Sequence, residues 1–500
     1  MKATGKMRLM DYRIRFNFRL VARLLGMLLI IMSFTMVVPV AVSLWYGDGS
    51  QFGLGLSGLI MLMTGLLLRN FIGVGATYTL DSRESFWITA VIWVGVPLMG
   101  ALPYIFTSSV TTFTDAAFES FSGFTTTGSS VMTDLDHTPQ GLLVWRSASQ
   151  WVGGLGLILF IVALLRRLNE GSARLYEAEF SGTLQRRLHP RMARNVVLMW
   201  AVYIFLTLAL FLLLMAGGNG FVDSLCTALS TVSTGGFMTH SAGLSGFSGF
   251  SMGCITLFMF LAGVNLAVLF HFFTGRWRLL RGDEELRRYL IIFAVSVVVC
   301  AVAFSVAEGS FSPFNIQFSL FHVASTLSTC GFYTAAPMVW PVTVSVLTFL
   351  LIFIGASAGS TGGGIKIKRL MILARQVRNY FVRMIHPRAV LDVKVSGKVV
   401  EQEYVSKIFS FIFLYMLFVM VGAFVLTLCG LDIPNALCMA AANVGNLGPS
   451  PVLNNMGATL DYVRLLPVAK WTIMLLMLAG RLEILALVAV FMPAYWRRRR

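Results

Sequence analysis

Thr126-Thr127-Gly128-Ser129, Thr234-Gly235-Gly236-Phe237, Thr329-Cys330-Gly331-Phe332 and Asn443-Val444-Gly445-Asn446 are four variations on one four-residue pattern. Glycine reaches backbone angles that turn successive carbonyls to one side, and it adds no side chain there. Four such loops around an axis would offer rings of carbonyl oxygen to a dehydrated monovalent cation. The candidate ion-binding residues are therefore Thr126, Thr127 and Gly128; Thr234, Gly235 and Gly236; Thr329, Cys330 and Gly331; and Asn443, Val444 and Gly445. This chemistry is coordination rather than catalysis. Gly-Ala-Ser-Ala-Gly at 355–359 fits a nucleophile-elbow pattern, but no strand precedes it and no His–Asp pair is placed to serve it. Gly359 to Lys366 resembles a phosphate loop with its lysine one residue late, beside an apolar helix. A membrane-embedded enzyme, the alternative of another class, would need a cluster that the six scattered histidines (137, 189, 240, 271, 322, 386) do not form.

Elements that hold such loops must lie in a membrane. Hydrophobic residues make up 57% of the 500 and charged residues only 12%, with a mean hydropathy of +0.79, a composition of polytopic membrane proteins. The net charge of +17 does not point to nucleic acid, because the basic residues cluster between apolar runs. The cysteines lack paired spacing and a nearby histidine pattern, so neither zinc nor a disulfide framework is expected, and those other than Cys330 read as ordinary buried thiols. Seven Lys/Arg up to Arg23 precede an apolar run to Trp45 without a suitably placed cleavage site, which reads as a retained helix.

Apolar runs of about 20 residues predict ten spans: 24–46, 54–75, 85–106, 144–165, 196–216, 251–273, 289–307, 342–365, 405–429 and 466–492. Basic segments at 2–23, 69–83, 166–194, 276–288, 366–398 and 497–500 fall at every second connection and at both termini, which places both termini in the cytoplasm. The stretches 84–145, 195–275, 289–365 and 408–463 have no Lys or Arg, and each carries one glycine motif, expected on the outer side. Thirteen residues before the four glycines stand Asp115, Asp223, Phe318 and Asp432. Asp is expected to cap a short helix whose negative C-terminal end then faces the loop and favours a cation. The predicted fold is an all-α polytopic membrane protein of four repeats, each a membrane helix, pore helix, filter loop and membrane helix in pseudo-fourfold arrangement, after an N-terminal two-helix hairpin. The expected boundaries are 1–78 for the hairpin and 79–187, 188–283, 284–398 and 399–500 for the repeats.

These motifs, with Arg-Ser-Ala-Ser-Gln-Trp-Val-Gly-Gly-Leu-Gly at 146–156, Ala-Gly-Ser-Thr-Gly-Gly-Gly-Ile-Lys at 358–366 and Gly-Arg-Leu-Glu-Ile at 480–484, resemble the Trk/Ktr/HKT superfamily of potassium transport proteins. The helices before residue 78 resemble the hairpin of its Trk branch. The resemblance implies potassium uptake across the bacterial inner membrane, a homodimer and a cytosolic TrkA-like nucleotide-binding regulatory subunit. It implies K+ as the transported ion, bound at the filter residues, and no cofactor. In plant members a serine at the first filter glycine goes with sodium, so four glycines resemble the potassium-selective pattern; a Ktr-like sodium-dependent or less selective cation pathway is the alternative. The fourth loop departs most from the pattern, with Asn443 in place of threonine.

Five glycines in the ten residues 355–364 would weaken the eighth helix. Close helix packing is one reading. An intramembrane gate of Gly359, Ser360, Thr361, Gly362, Gly363 and Gly364 is what the resemblance implies at this place. Arg481 and Glu483 lie within the last apolar run, where charge is costly unless it faces the bundle or water; Arg481 is expected either to oppose the gate or to form a structural pair. Arg146, with Gln150 and Trp151, is expected to brace a filter loop. The basic segments 166–194 and 366–398 read as lipid-facing loops or, by resemblance, as the docking surface of the regulatory subunit.

Overall fold

A computed structural model describes residues 18–70, 82–156, 189–334, 340–389, 391–448 and 462–492. The expected basic segments before residue 18 and at 71–81, 166–188 and 497–500 lie outside them. The N-terminal hairpin is α1 (Phe18–Thr35) running into α2 (Val37–Tyr46) as one apolar span, with α3 (Gln51–Asn70) returning. A Cβ at Gly26 would lie 2.7 Å from the Gly65 carbonyl oxygen, and one at Gly65 would lie 2.8 Å from that of Gly26. Small residues let the two backbones meet without water to drive them together. In the turn, Asp48 Oδ2 accepts the Gly141 amide at 2.8 Å and ties the hairpin to the first repeat.

The first repeat is α4 (Ser82–Gly100), α5 (Leu102–Phe106), α6 (Phe113–Phe124) and α7 (Gln140–Gly154). The second is α8 (His189–Ala216), α9 (Phe221–Val232), α10 (Gly249–Ala262) and α11 (Leu266–Phe273), with α12 (Trp277–Arg281) leading onward. The third is α13 (Glu284–Glu308), α14 (Pro313–Leu327) and α15 (Val342–Ile354). Helix α16 (Ile367–Ile385) and the hairpin β1 (Lys394–Val395) and β2 (Lys398–Val399) connect it to α17 (Gln402–Leu428), α18 (Ile433–Val444), α19 (Pro467–Arg481) and α20 (Leu485–Phe491). Each repeat is thus a first membrane helix, a short helix and a second helix, and the short helices α6, α9, α14 and α18 are almost wholly buried along their later turns.

The short helices begin earlier than expected. Their N-caps are Thr112, Gly220, Ser312 and Asp432, so only Asp432 is a cap and Asp115 and Asp223 stand in the first turn. Thr112 Oγ1 accepts the Asp115 amide at 3.1 Å and donates to Asp115 Oδ2 at 2.8 Å. Either placement sets a carboxylate at the positive end of the helix.

The second helices differ more from expectation. Segments 251–273 and 466–492 are not straight spans: they bend by 113° after Ala262 and 115° after Arg481. Helix α15 ends at Ile354 and α7 at Gly154, so all four second helices stop where the repeats converge, not only the glycine-rich one. Packing explains two of these stops. A Cβ at Gly153 or Gly480 would overlap the carbonyl of Phe124 or Val444 at the end of a short helix. Asn265 then caps α11 through Ala267 N at 2.8 Å, while Glu483 and Ile484 turn the chain with φ of 54° and 55°. Among the described residues six helices are long and apolar enough to cross a membrane, or eight with the two bent pairs, against ten expected; α7 ends at Gly154 and α15 at Ile354, both shorter than a full span. The chain is a multi-pass, all-α membrane protein.

Candidate functional site

The four short helices end in one backbone pattern. Thr126 N donates to Gly123 O and Thr127 N to Ser122 O; Thr234 N to Thr231 O and Gly235 N to Ser230 O; Thr329 N to Thr326 O and Cys330 N to Ser325 O. The fourth set is Asn446 N to Asn443 O and Leu447 N to Ala442 O. Such paired bonds close a helix around a left-handed residue. That residue is Thr126, Thr234, Thr329 and Asn446, with φ of 54°, 54°, 61° and 52°. Two positions on come Gly128, Gly236, Gly331 and Gly448, with φ of 84°, 76°, 79° and 84°.

This moves the fourth motif by three residues. Asn443 and Val444 are the last turn of α18, and Gly445 is its C-cap with φ of −74°, a helical angle that gives no reason for glycine. The loop equivalent to the other three is Asn446-Leu447-Gly448, sixteen residues from N-cap Asp432 to Gly448, as from Thr112 to Gly128 and from Gly220 to Gly236. The third repeat spans nineteen, from Ser312 to Gly331, because α14 is three residues longer. Asn443 instead supports the first loop from behind, its Oδ1 accepting Ser129 Oγ at 2.9 Å.

The loops form a ring. A Cβ at Gly128 would overlap the carbonyl oxygen of Gly235, one at Gly236 that of Cys330, and one at Gly448 that of Thr127. Each of these glycines therefore lies against the carbonyl preceding the next loop's glycine, in the cyclic order first, second, third, fourth. Threonine in the left-handed region costs of order 1–3 kcal/mol and persists only where its surroundings enforce it. Four carboxyl ends of short helices converge on the ring, a field that favours a cation.

Side chains from α7 and α6 hold it. Gln150 Nε2 donates to Gly235 O at 2.7 Å, and Gln150 Oε1 accepts Phe237 N at 3.2 Å. Arg146 contacts Glu119 Oε1 through Nη2 at 2.6 Å and Nε at 2.9 Å, donates to Met238 O at 3.1 Å, and lies 4.1 Å over the Phe237 ring. Glu119 also accepts Ser130 Oγ at 2.9 Å and Val131 N at 3.0 Å, so this fully buried pair joins the first two loops. Trp151 turns away to Thr207 Oγ1 at 3.1 Å. Glu119, Asn446 and Gly448 are absent from the sequence-derived site. An acid inside an apolar short helix was the available signal for Glu119.

Directly beneath the ring runs the chain 355–366. Gly363 N donates to Thr329 Oγ1 at 2.7 Å, and Thr361 Oγ1 to Val232 O at 3.1 Å. A Cβ at Gly362 would lie 2.6 Å from Ser328 O, and one at Gly363 would overlap Gly445 O. Its far limb is tied down as Glu285 Oε1 accepts Ala358 N at 2.5 Å and Asn265 Nδ2 donates to Ala358 O at 2.6 Å. Gly359 and Gly364 take φ of 78° and 75°, and Ser360 Oγ closes the turn on Ser357 O.

Arg481 reaches across this space. It donates from Nη1 to Thr361 O at 3.1 Å and from Nη2 to Gly153 O and Gly154 O at 2.5 and 2.6 Å. Glu483, two residues on, accepts Arg369 Nη2 at 2.5 Å. A cavity of about 40 Å³, room for a few waters, lies between Gly154, Gly362, Gly363, Asn446 and Arg481. Asn446 Oδ1 is buried beside it without a hydrogen-bond donor among the described residues, while its Nδ2 is held by Thr127 Oγ1 and Met477 O at 3.0 Å each. The arrangement presents a ring of carbonyl oxygens to a bare cation and, below it, a small cavity lined by Arg481 together with Lys366, Arg369 and Glu483.

A family profile described as TrkH, cation transport protein, matches residues 59–498. The Trk system potassium uptake protein TrkH of Escherichia coli K12 is 34% identical over 497 residues, covering 96% of this chain and 100% of that protein. TrkG of the same strain is 32% identical over 493 residues, covering 96% and 99%. The crystal structure of the potassium transporter TrkH from Vibrio parahaemolyticus superposes with a TM-score of 0.85 at 31% identity, covering 96% of this chain and 100% of that one.

Proposed function

Because the chain belongs to the TrkH family of cation transport proteins, we propose that it carries potassium into the cell through the ring of four loops, with 355–366 and Arg481 as its gate. The observation that carries this reading is the packing of Gly128, Gly236 and Gly448 each against a carbonyl of the neighbouring loop, which leaves successive backbone oxygens to replace a hydration shell. The ion-binding residues are then Thr126, Thr127, Gly128, Thr234, Gly235, Gly236, Thr329, Cys330, Gly331, Asn446, Leu447 and Gly448. The gate comprises Gly359, Ser360, Thr361, Gly362, Gly363, Gly364 and Arg481.

The mouth of the pore, where the short helices begin, faces outward. Both termini and the basic linkers are cytoplasmic, as their charge favours, and the membrane is the bacterial inner membrane. The divisions are 1–78, 79–187, 188–283, 284–398 and 399–500. The protein works as a homodimer with a TrkA-like nucleotide-binding subunit on the cytoplasmic face. These features rest on the resemblance and on charge placement.

Growth rescue and rubidium uptake in cells lacking potassium uptake, with the regulatory subunit co-expressed, test the reading. Rescue is expected from the wild-type chain, with Gly236→Ser, whose Cβ would overlap the Cys330 carbonyl, losing it and Arg481→Gln raising maximal rubidium uptake several-fold at equal expression. No rescue by the wild-type chain would overturn the function; unchanged flux in Arg481→Gln would remove the gate role alone.

A further inference from the structure

Helix α16 has two unlike halves. Ile367, Arg369 and Ile372 are buried in the bundle, with Arg369 held by Glu483 and lying 4.2 Å over the Phe411 ring. Beyond Arg375, the residues Val377, Tyr380, Phe381, Met384 and Ile385 are 44–74% exposed. Their spacing of three, four, seven and eight places them on one helical stripe. Arg378 and Arg383 flank that stripe on opposite edges, about 100° to one side of Val377 and about 120° to the other by helical periodicity. The helix carries Lys368, Arg369, Arg375, Arg378 and Arg383 and no acid.

Its level relative to a bilayer follows from its neighbours. Arg375 Nη2 pairs with Glu284 Oε2 at 2.6 Å, and Glu284 is the first residue of the spanning helix α13. The exposed apolar surface of α13 begins within two turns, at Leu290 and Ile291. Just before α13, the exposed Phe272, Phe273 and Trp277 stand beside Arg276 and Arg278, the aromatic and basic mixture of a headgroup layer. The stripe of α16 therefore starts at the edge of the hydrocarbon, and its charge complements an anionic surface.

We propose that the second half of α16 is an interfacial anchor: Tyr380, Phe381, Met384 and Ile385 enter the boundary of the leaflet while Arg378 and Arg383 bind anionic phospholipid headgroups. The inference requires only that α13 and α17 cross a bilayer, and it stands whether or not the transported ion is potassium.

The test uses the full chain in nanodiscs of phosphatidylcholine, with or without phosphatidylglycerol. Cys254 and Cys429, the two partly accessible cysteines, are replaced by serine, and Met384→Cys carries an environment-sensitive fluorophore. With phosphatidylglycerol present the probe should emit as in an apolar medium and be quenched at least twofold by lipid-borne spin labels. Arg378→Gln with Arg383→Gln should lose at least half of that quenching while the thermal transition stays unchanged. Water-like emission in both discs, quenching independent of lipid charge, or protection that appears only when the regulatory subunit is added would each overturn the proposal.

Discussion

At Gly448 a side chain has nowhere to go. With φ of 84° and the Thr127 carbonyl oxygen where its Cβ would stand, Gly448→Ala is expected to lower rubidium uptake at least tenfold. Gly445→Ala, at φ of −74° with its nearest neighbours 3.1 and 3.3 Å away, should keep most of it. Equal loss in both variants would contradict the register 446–448. That register was not legible beforehand, because Asn443-Val444-Gly445 and Asn446-Leu447-Gly448 share the pattern Asn-X-Gly and only backbone angles separate them. Glu119 and Arg146 form a buried pair whose one-sided removal leaves an uncompensated charge. Glu119→Ala should destabilise by about 3–5 kcal/mol, read as a lowered thermal midpoint in detergent, and the double variant Glu119→Leu with Arg146→Met should regain part of it. A double variant no more stable than Glu119→Ala would show that the residues do not act as a pair.

Among the elements, the short helices were the most readable, since an acid followed by a short apolar run and a glycine recurs along the chain. Their exact starts were not, because Thr112 and Ser312 cap through their hydroxyls and Gly220 takes the cap position with no side chain at all, while Asp115 and Asp223 stand in the first turn. The second helices misled for a physical reason. Hydropathy measures what a segment tolerates and not whether it is straight, so 251–273 and 466–492 read as single spans although both turn by more than 110°. Glycine density revealed the break at 355–364 only; elsewhere one glycine at the point of closest approach suffices. Gly153→Ala and Gly480→Ala should each push a second helix off the end of a short helix, since the added Cβ meets backbone and not a movable side chain. We expect a loss of monodisperse protein in size-exclusion chromatography of at least half, and unchanged elution and yield would count against this packing.

For the molecule as a whole, the mouth is stitched from repeat to repeat. Lys470 Nζ meets Asp115 Oδ1 at 2.6 Å, joining fourth to first. His240 sits between Asp136 at 2.8 Å and Asp223 at 3.1 Å, joining first to second. Leu244 N donates to Tyr333 O at 3.2 Å, joining second to third. Burial pushes the His240 imidazole downward, but hydrogen bonding to Asp136 and the charge of Asp223 outweigh it and raise it above the ordinary 6.5. The hydrogen bond from His240 in turn holds Asp136 below its ordinary 3.8. The stabilisation from His240 is therefore complete below pH 6.5 and is lost as pH rises through its raised value, while that from Asp136 is complete above 3.8 and lost as pH falls further. Hydrogen exchange in 129–139 and 238–248, corrected for intrinsic rates, should quicken above neutral pH, and His240→Gln should flatten that rise; an equally steep rise in the variant would remove the histidine from the link. The last residues of the four second helices are Gly154, Ala262, Ile354 and Arg481. In a pore assembled from identical subunits, any residue written there appears four times, and four guanidiniums around one axis would repel each other and every entering cation. Carrying all four quarters in one polypeptide uncouples charge from symmetry. The gene can place one guanidinium at the end of one second helix in a fourfold frame, from where it reaches Thr361 O in the third quarter and Gly153 O and Gly154 O in the first.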